Sequence, residues 1–456
     1  MKQTIAFVAL MTVILSSGTV FASGIELQEQ SAVAQGRVLA VRAFLEDPST
    51  VFYNPAGLAY LDGFHFAIGD TLVFPLFNYS DARNVPADQK YKDASNENLV
   101  VPPPHIYAAW GTSLGRAGRI GVGAGFNYPF GLTLVYPDDF AGKYLAAESS
   151  LLIPEITLGV AYSPIPEVSF GAGFVMSPAA VYMKQAMGKQ FGLVADDGSP
   201  IKDSYVELAG QGWGFGYTVG VQARPIKNLY MGATFRSPIS IEMQGDAHFE
   251  IPGLTDKSAF PDQKVETAFQ LPDIISVGVA YRLFDVWLAE IDFEYFFWYR
   301  FKSIPMTFPD DKSGALSQEL AQDWENGWVI RFGNEFQVTP NFVLRGGVGY
   351  DVNPVQDENM SPMLPDADRL FLAVGAGYRF DFGLKLDASV QTTYFLPRTV
   401  TGEACTAQSS DPACFDENGD FKAFNESGQA TWSGNRFPSE WNNFAVLVAT
   451  TIGYSF

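Results

Sequence analysis

The residues that could carry out catalysis or hold a metal ion are few in this chain. It contains three histidines, His65, His105 and His248. A hydrolase needs a histidine beside a nucleophile or an acid in one cluster, and no nucleophile signature surrounds any of the three. No ligand spacing typical of a zinc site is present. We therefore expect no enzyme, no cofactor and no metal ion, and a hydrolase is the least favoured interpretation.

Composition excludes several other classes of protein. The 456 residues include 50 acidic and 29 basic side chains, which gives a formal net charge of -21. Such a chain repels phosphate backbones, so we expect no nucleic-acid partner. An aromatic content of 14% argues against disorder, while a charged content of 17% is low for a soluble acidic protein. The 43 glycines and 28 prolines favour many strands and turns over a helical bundle.

The first residues have the pattern of an export signal. Lys2 supplies a positive charge, residues 5–15 are apolar, and a small residue, Ala22, ends a possible cleavage site. The alternative is a membrane anchor, but the apolar run is short for a span of about 20 residues. We predict a signal peptide at 1–22 and a mature chain that begins near Ser23, outside the cytoplasm.

Export also bears on the two cysteines, Cys405 and Cys414. They are close in sequence within a long predicted loop, and free thiols are disfavoured in an oxidising compartment. We predict a disulfide between them that staples the loop and has no redox role.

Short alternating segments rich in aromatic and small residues dominate the rest of the chain, and no run of 18 apolar residues follows Ala22. In the segment from Trp441 to Phe456, one face carries bulky apolar residues and the other mostly small or polar ones. About fourteen such strands are predicted, at 63–78, 103–114, 119–130, 150–163, 168–188, 204–223, 229–246, 265–283, 286–302, 326–338, 342–352, 369–382, 384–397 and 441–456.

The connections between these strands decide the fold class. Short connections of a few residues alternate strictly with long ones that hold much of the acidic charge. Soluble sandwiches and propellers do not require connections that alternate in length. Outer-membrane barrels do combine tight periplasmic turns with long external loops. We predict an all-β fold, a 14-stranded antiparallel transmembrane β-barrel over residues 62–456.

Residues 23–61 precede the first strand and are too irregular for a strand pair. Buried charges must be paired or solvated, so Arg37, Arg42, Glu46 and Asp47 could pair with charges on the predicted inner face. Those charges are Glu290, Asp292, Glu294, Arg331, Glu335, Arg345, Arg379, Lys385 and Asp387. We predict that 23–61 is an N-terminal hatch in the lumen; the alternative is a periplasmic tail below a water-filled barrel.

Several motifs resemble the FadL-type outer-membrane transporters of long-chain fatty acids and other hydrophobic compounds. The resemblance spans the mature chain and rests on the start Ser23–Ser31, the triplet Asn54, Pro55 and Ala56, and the runs 129–132, 142–144, 344–348 and 364–369. It implies a hatch-closed barrel in a Gram-negative outer membrane that passively transports hydrophobic small molecules. A general water-filled porin is the alternative.

The resemblance also implies where the ligand enters and leaves. Two external loops form a hydrophobic capture site, here with Phe191, Leu193, Phe249, Ile251, Leu254 and Phe260; the alternative is that these side chains pack as a cap. The ligand leaves sideways at an inward kink of the third strand, here with Asn127, Tyr128, Pro129, Phe130 and Gly131. Pro129 lacks an N–H and Gly131 tolerates unusual dihedrals, which gives a physical reason for a kink, although a plain strand end would also fit.

The expected partners follow from this interpretation. They are a hydrophobic small-molecule ligand, outer-membrane lipid and lipopolysaccharide, and we expect a monomer. The acidic loops could bind divalent ions that bridge lipopolysaccharide phosphates, or they are simply solvated.

Overall fold

A computed structural model describes residues 24–82, 90–187, 204–253, 260–311, 317–400 and 439–456. In these ranges fourteen antiparallel strands form one closed sheet, which confirms the predicted fold class. Strands β1 and β14 close the barrel, paired from His65 and Ser455 to Asp81 and Ser439. The bounds are β1 Gly63–Asp81, β2 Pro104–Ser113, β3 Arg119–Val135, β4 Glu148–Ile165, β5 Val168–Met187, β6 Ser204–Ile226, β7 Leu229–Arg236 and Ile239–Glu250, β8 Gln263–Leu271 and Ile274–Leu283, β9 Trp287–Phe296, β10 Gly327–Thr339, β11 Phe342–Val352, β12 Arg369–Arg379, β13 Leu384–Phe395 and β14 Ser439–Ser455.

Short elements occur outside the barrel strands. The N-terminal segment holds helix α1 Ala32–Gly36, helix α2 Thr50–Tyr53 and the 3-10 helix Pro55–Tyr60. No helix in the described ranges is long and apolar enough to cross a membrane. The remaining 3-10 turns are Gly115–Ala117, Ala141–Tyr144, Trp298–Arg300 and Asp357–Asn359, and the remaining short strands are Ala94–Ser95, Ser303–Thr307, Gln318–Ala321 and Arg398–Val400.

The outer surface of the barrel is apolar, as the alternating pattern predicts. On β6, Phe215 and Tyr217 are 58% and 52% exposed, and on β12, Leu372 and Val374 are 57% and 60% exposed. Successive side chains of a strand point to opposite faces, so the residues between them point inward. A continuous belt of exposed aromatic and aliphatic side chains is typical of a barrel that spans a lipid bilayer.

The short connections are tight turns. Residues 284–286 join β8 to β9, and the central residues of the turn, Phe284 and Asp285, have positive φ, at 52° and 62°. Positive φ at both central residues defines a type I′ turn, whose twist matches that of the flanking strands. The short connections therefore bring consecutive strands directly side by side.

Two strands predicted as continuous are interrupted. Strand β7 breaks around Pro238 and β8 around Pro272, where 229–246 and 265–283 are the predicted unbroken strands. Proline has no N–H to donate to the ladder, and it restricts the residue before it. Strand β9 likewise ends earlier than predicted, at Phe296, and the chain turns through Trp298–Arg300.

The N-terminal segment, residues 24–61, lies within the barrel. Helix α1 packs against β11, β12, β13 and β14, whereas the 3-10 helix Pro55–Tyr60 packs against β2 to β6 on the other side. A Cβ added at Gly36 would lie 3.3 Å from the Cα of Gly375 on β12. Nearly all side chains of the segment are buried. The N-terminal segment therefore fills most of the barrel interior around it.

Ion pairs attach this segment to strand β9. Arg37 pairs with Glu290, and Arg42 pairs with Glu294 at 2.7 Å. The backbone N–H groups of Val41 and Arg42 donate to Asp292 at 2.8 and 2.9 Å. The sequence predicts pairing for Arg37 and Arg42, and the structure has it. Of the other two predicted charges, Asp47 accepts hydrogen bonds from Ser49 within the segment and Glu46 is exposed.

Candidate functional site

Strand β3 is irregular at the residues predicted to form a kink. Asn127 pairs with Glu155 of β4, and the next pair is Phe130 with Ile153. Two residues of β3, Tyr128 and Pro129, thus lie opposite one residue of β4, Pro154. This two-against-one arrangement is a β-bulge. Pro129 and Pro154 both lack an N–H, so the ladder between β3 and β4 loses donors on both sides at this point.

A larger irregularity lies on the other edge of β3. The ladder between β2 and β3 ends at the pair Ile106 and Phe126. Before β2, the chain stays beside β1, because Val73 bridges to Val101 and Thr71 N donates to Pro103 O at 3.2 Å. We call the space between residues 97–104 and residues 127–135 the β2–β3 gap. Its far end is closed by Glu97 N, which donates to Val135 O at 2.8 Å.

The N-terminal segment supplies the backbone partners of β3 in this gap. Glu26 forms an antiparallel bridge with Phe130. Leu27 N donates to Pro129 O at 2.7 Å, and Gly131 N donates to Ile25 O at 3.2 Å. Unpaired backbone groups are costly inside a bilayer. Residues 25–27 therefore act as a short additional strand that covers the edge of β3.

Gln30 completes this arrangement with its side chain. Its Nε2 donates to Tyr128 O at 2.9 Å, and its Oε1 accepts from Tyr128 N at 2.9 Å. The amide thereby replaces a strand partner for Tyr128. Asn127, beside it, is fully buried.

The register shift of β3 falls among the residues predicted to form a kink, but Gly131 does not have the unusual dihedral expected of it. This glycine is not among the described residues with positive φ, and a Cβ added to it would meet only Leu151 O at 3.4 Å, an ordinary contact. The missed signal was the run Pro102, Pro103 and Pro104, three consecutive residues without N–H donors at the other side of the gap.

A cavity of about 340 Å³ lies behind the gap. Both sides of the gap line it, with Val101 to Pro104 on one side and Phe130 to Leu134 on the other. Apolar residues of β1, β12, β13 and β14 form much of the remaining wall. Leu152, which also lines the cavity, is exposed on the outer face of β4. A cavity of this size and character fits a small hydrophobic molecule.

A second, smaller cavity of about 110 Å³ lies towards the long connections. Its walls come from β4 to β8 and from the segment 301–324, and they include Leu208, Met243 and Phe269. Ile25, Leu132 and Leu364 line both cavities. The two apolar cavities therefore adjoin at these three residues.

The charged groups of the large cavity are mostly paired. Arg369 bonds Asp366 at 3.1 Å and Gly24 O at 2.7 Å, and Arg331 pairs with Glu294. Gln391 donates to Glu29 at 2.6 Å. Burial raises the pKa of Asp366 to about 6, and the Arg369 charge limits the rise.

Asn54, Pro55 and Ala56 lie on the opposite side of the barrel from the α1 contacts. Asn54 Oδ1 accepts from Ala56 N at 3.2 Å, and its Nδ2 donates to Arg42 O at 2.8 Å. A Cβ at Gly220 of β6 would come within 2.2 Å of Asn54 Oδ1. The triplet thus starts the 3-10 helix and fits closely against a wall strand that has no side chain at that point.

Only part of the predicted capture loops falls in the described ranges. Phe249 lies in β7 and contacts Phe260 with tilted rings whose centroids are 5.8 Å apart, and Ile251 is 3% exposed. These three side chains pack with one another and with β6, β8 and the strand Ser303–Thr307. Phe191, Leu193 and Leu254 lie outside the described residues, as do Cys405, Cys414 and the predicted signal peptide 1–22. A role in capture stays a prediction.

The histidines have separate partners. His105 contacts Thr451 Oγ1 at 2.9 Å, His65 contacts Asp62 O at 2.9 Å, and His248 contacts Asp262 at 2.8 Å. Within the described ranges, no group of three or more acidic, histidine or cysteine side chains is placed to hold a metal ion.

Comparisons with known proteins agree with this architecture. The family described as "Outer membrane protein transport protein (OMPP1/FadL/TodX)" matches residues 13–456. A long-chain fatty acid transport protein of Salmonella typhi is 24% identical over 400 residues, which cover 83% of this chain and 89% of the relative. Outer membrane protein P1 of Haemophilus influenzae is 25% identical over 411 residues, covering 82% and 86%.

Solved structures share the fold. A FadL homologue of Pseudomonas aeruginosa aligns with a TM-score of 0.75 at 17% identity, covering 95% of this chain and all of that one. The toluene transporter TodX of P. putida aligns with a TM-score of 0.68 at 14% identity, covering 96% and 99%. With a family match over nearly the whole chain and a closed apolar-faced barrel, this protein belongs to the OMPP1/FadL/TodX family of outer membrane transport proteins and is a multi-pass protein of the Gram-negative outer membrane.

Proposed function

We propose that this protein carries hydrophobic small molecules, such as long-chain fatty acids or hydrocarbons, passively across the outer membrane and releases them sideways through the β2–β3 gap. The observation that carries the proposal is the 340 Å³ cavity whose walls include both sides of that gap. A hydrophobic molecule gains nothing from leaving into water, whereas an exit in the wall leads directly into lipid. The names of the relatives, which include fatty acid and toluene transporters, support the same substrate class.

The two cavities suggest the order of events. The smaller one, towards the long connections, receives the ligand from the external loops. The larger one adjoins it at Ile25 and Leu132 and lies beside the gap. Movement of residues 25–27 away from β3 would join the two cavities and uncover the gap. In this proposal residues 23–61 are the hatch, residues 62–456 are the barrel, and the protein is not an enzyme.

A general porin would need an open path along the barrel axis. Buried side chains of the N-terminal segment occupy the interior, and its arginines pair with Glu290 and Glu294 of the wall. Because the N-terminal segment occupies the barrel interior, a lateral route for the ligand is favoured over an axial one.

Uptake assays separate the two functions. We expect a Gram-negative strain that expresses this chain, and lacks its own family members, to gain uptake of oleate or dodecane. Liposomes that contain the purified barrel should stay impermeable to small sugars. Rapid sugar entry without any gain in hydrophobic uptake would identify a porin instead.

A separate experiment tests the hatch. Deletion of residues 24–61 should create ion conductance in planar bilayers, and unchanged low conductance would contradict the hatch.

A further inference from the structure

The carboxyl group of Glu26 has an unusual position. The Glu26 backbone pairs with Phe130 beside the β2–β3 gap, the residue is 9% exposed, and it lines both the 340 Å³ cavity and a small polar cavity of about 20 Å³. Its Oε2 receives no hydrogen bond from the residues that the structure describes. A buried polar atom in this state costs free energy until a partner is supplied. A ligand bound in the 340 Å³ cavity can supply this hydrogen-bond partner.

The charges around the cavity argue against an anionic partner. Its described lining holds three acids, Glu26, Glu29 and Asp366, and two arginines, Arg331 and Arg369. Each arginine already pairs with a carboxylate, Arg331 with Glu294 and Arg369 with Asp366. A ligand carboxylate would have to lose its hydration without gaining an unpaired cation, which disfavours its binding relative to an uncharged ligand.

We infer that Glu26 makes the cavity selective for uncharged lipophiles whose polar end accepts a hydrogen bond, such as esters or ketones, over carboxylates of the same chain length. The inference rests on the transport function proposed above, and it narrows the substrate class of the same site. The Glu26 carboxyl donates its O–H to the ligand oxygen, while the hydrocarbon tail contacts the apolar wall.

The protonation state of Glu26 is consistent with a donor role. Burial raises its pKa to about 8, and the charge of Glu294 adds to the rise. The Gln28 side chain and the positive charges of Arg236 and Arg331 act in the opposite direction but do not cancel it. At neutral pH the group is therefore mainly an uncharged carboxylic acid with a proton to donate.

Equilibrium binding to the full chain in nanodiscs at neutral pH tests the inference, with dodecane, methyl laurate and laurate as the three probes. We expect the unaltered protein to bind methyl laurate about tenfold more tightly than laurate, and several-fold more tightly than dodecane, roughly the value of one buried hydrogen bond. Glu26→Gln keeps an uncharged donor and should preserve this order. Glu26→Leu should bind dodecane as before and lose the preference for the ester.

The outcomes separate this inference from the proposed function. If all three probes bind and laurate binds as tightly as methyl laurate, the inference is wrong and the transport function stands. An unchanged ester preference in Glu26→Leu also contradicts it. If none of the three probes binds, the proposed function fails and the inference fails with it.

Discussion

Glu26 and Phe130 face each other as an antiparallel pair whose hydrogen bonds are made by the flanking residues, from Leu27 N to Pro129 O and from Gly131 N to Ile25 O. Pairs of this type have Cα atoms about 4.5 Å apart, within the range that a disulfide can bridge. The contact therefore offers a direct test of whether residues 25–27 must leave the gap.

The double variant Glu26→Cys and Phe130→Cys, made with Cys405 and Cys414 replaced by serine, should lock the segment onto β3. We expect uptake of a hydrophobic compound to stop under oxidising conditions and to recover after reduction, because the disulfide prevents the gap from opening. The two single-cysteine variants, treated with the same oxidant, are the controls. Full uptake by the oxidised double variant would show that the ligand takes another route.

Replacing Pro129 alone by valine should leave uptake nearly unchanged. The bulge that Pro129 causes faces β4, whereas the gap lies on the opposite edge of β3 and is bordered by Pro102 to Pro104. Uptake is compared in cells at equal amounts of folded barrel, measured by heat-dependent mobility on gels. A sharp loss of uptake with normal folding would mean that the bulge itself forms the exit.

Arg42→Leu should weaken the attachment of the N-terminal segment. Its guanidinium bonds Glu294 at 2.7 Å, Gln28 at 2.9 Å and Tyr53 O at 2.9 Å. Removing one partner of a buried ion pair costs about 3–5 kcal/mol. Limited proteolysis of the segment reports the loss. Lys92→Leu, which breaks an exposed pair with Asp139, is the control and should leave stability nearly unchanged, because solvent screens an exposed pair. Equal sensitivity of the two variants would contradict this interpretation.

The raised pKa of Glu26 predicts a pH dependence of stability. The native group keeps its proton up to about pH 8, whereas the unfolded chain releases it near 4.5, so the native state binds more protons between these values. Stability from this group is complete below the lower value and is lost as the pH rises through the higher one. The unfolding temperature in detergent should therefore fall less between these limits for Glu26→Gln than for the unaltered chain. Parallel curves for the two proteins would refute the assignment.

Mass spectrometry without reductant should find Cys405 linked to Cys414. Export to an oxidising compartment favours the bond, and nine residues of separation allow it to close a small loop. Alkylation of both cysteines in protein taken from intact outer membranes would exclude it.

The sequence by itself determined the barrel and the direction of its side chains. Alternation with a period of two depends only on local strand geometry, so Phe215 and Leu372 could be assigned to the outer face before any contact was known. Turn lengths are equally local, and strict alternation of short and long connections requires consecutive antiparallel strands. The pairing of Arg37 and Arg42 with luminal acids was also predictable, because buried charges need partners.

Only the tertiary structure decided where the wall is incomplete. Pro129 marks an irregular strand in the sequence, but a missing N–H does not say which neighbour the strand loses. The identity of the lost neighbour depends on the pairing of residues 101–104 with β1 and of residues 25–27 with β3. Both pairings join segments that are distant in sequence. The surroundings of Glu26 follow from the same choices. Its charge neighbours, Glu294 and Arg331, come from strands far along the chain, and no local pattern could have revealed them.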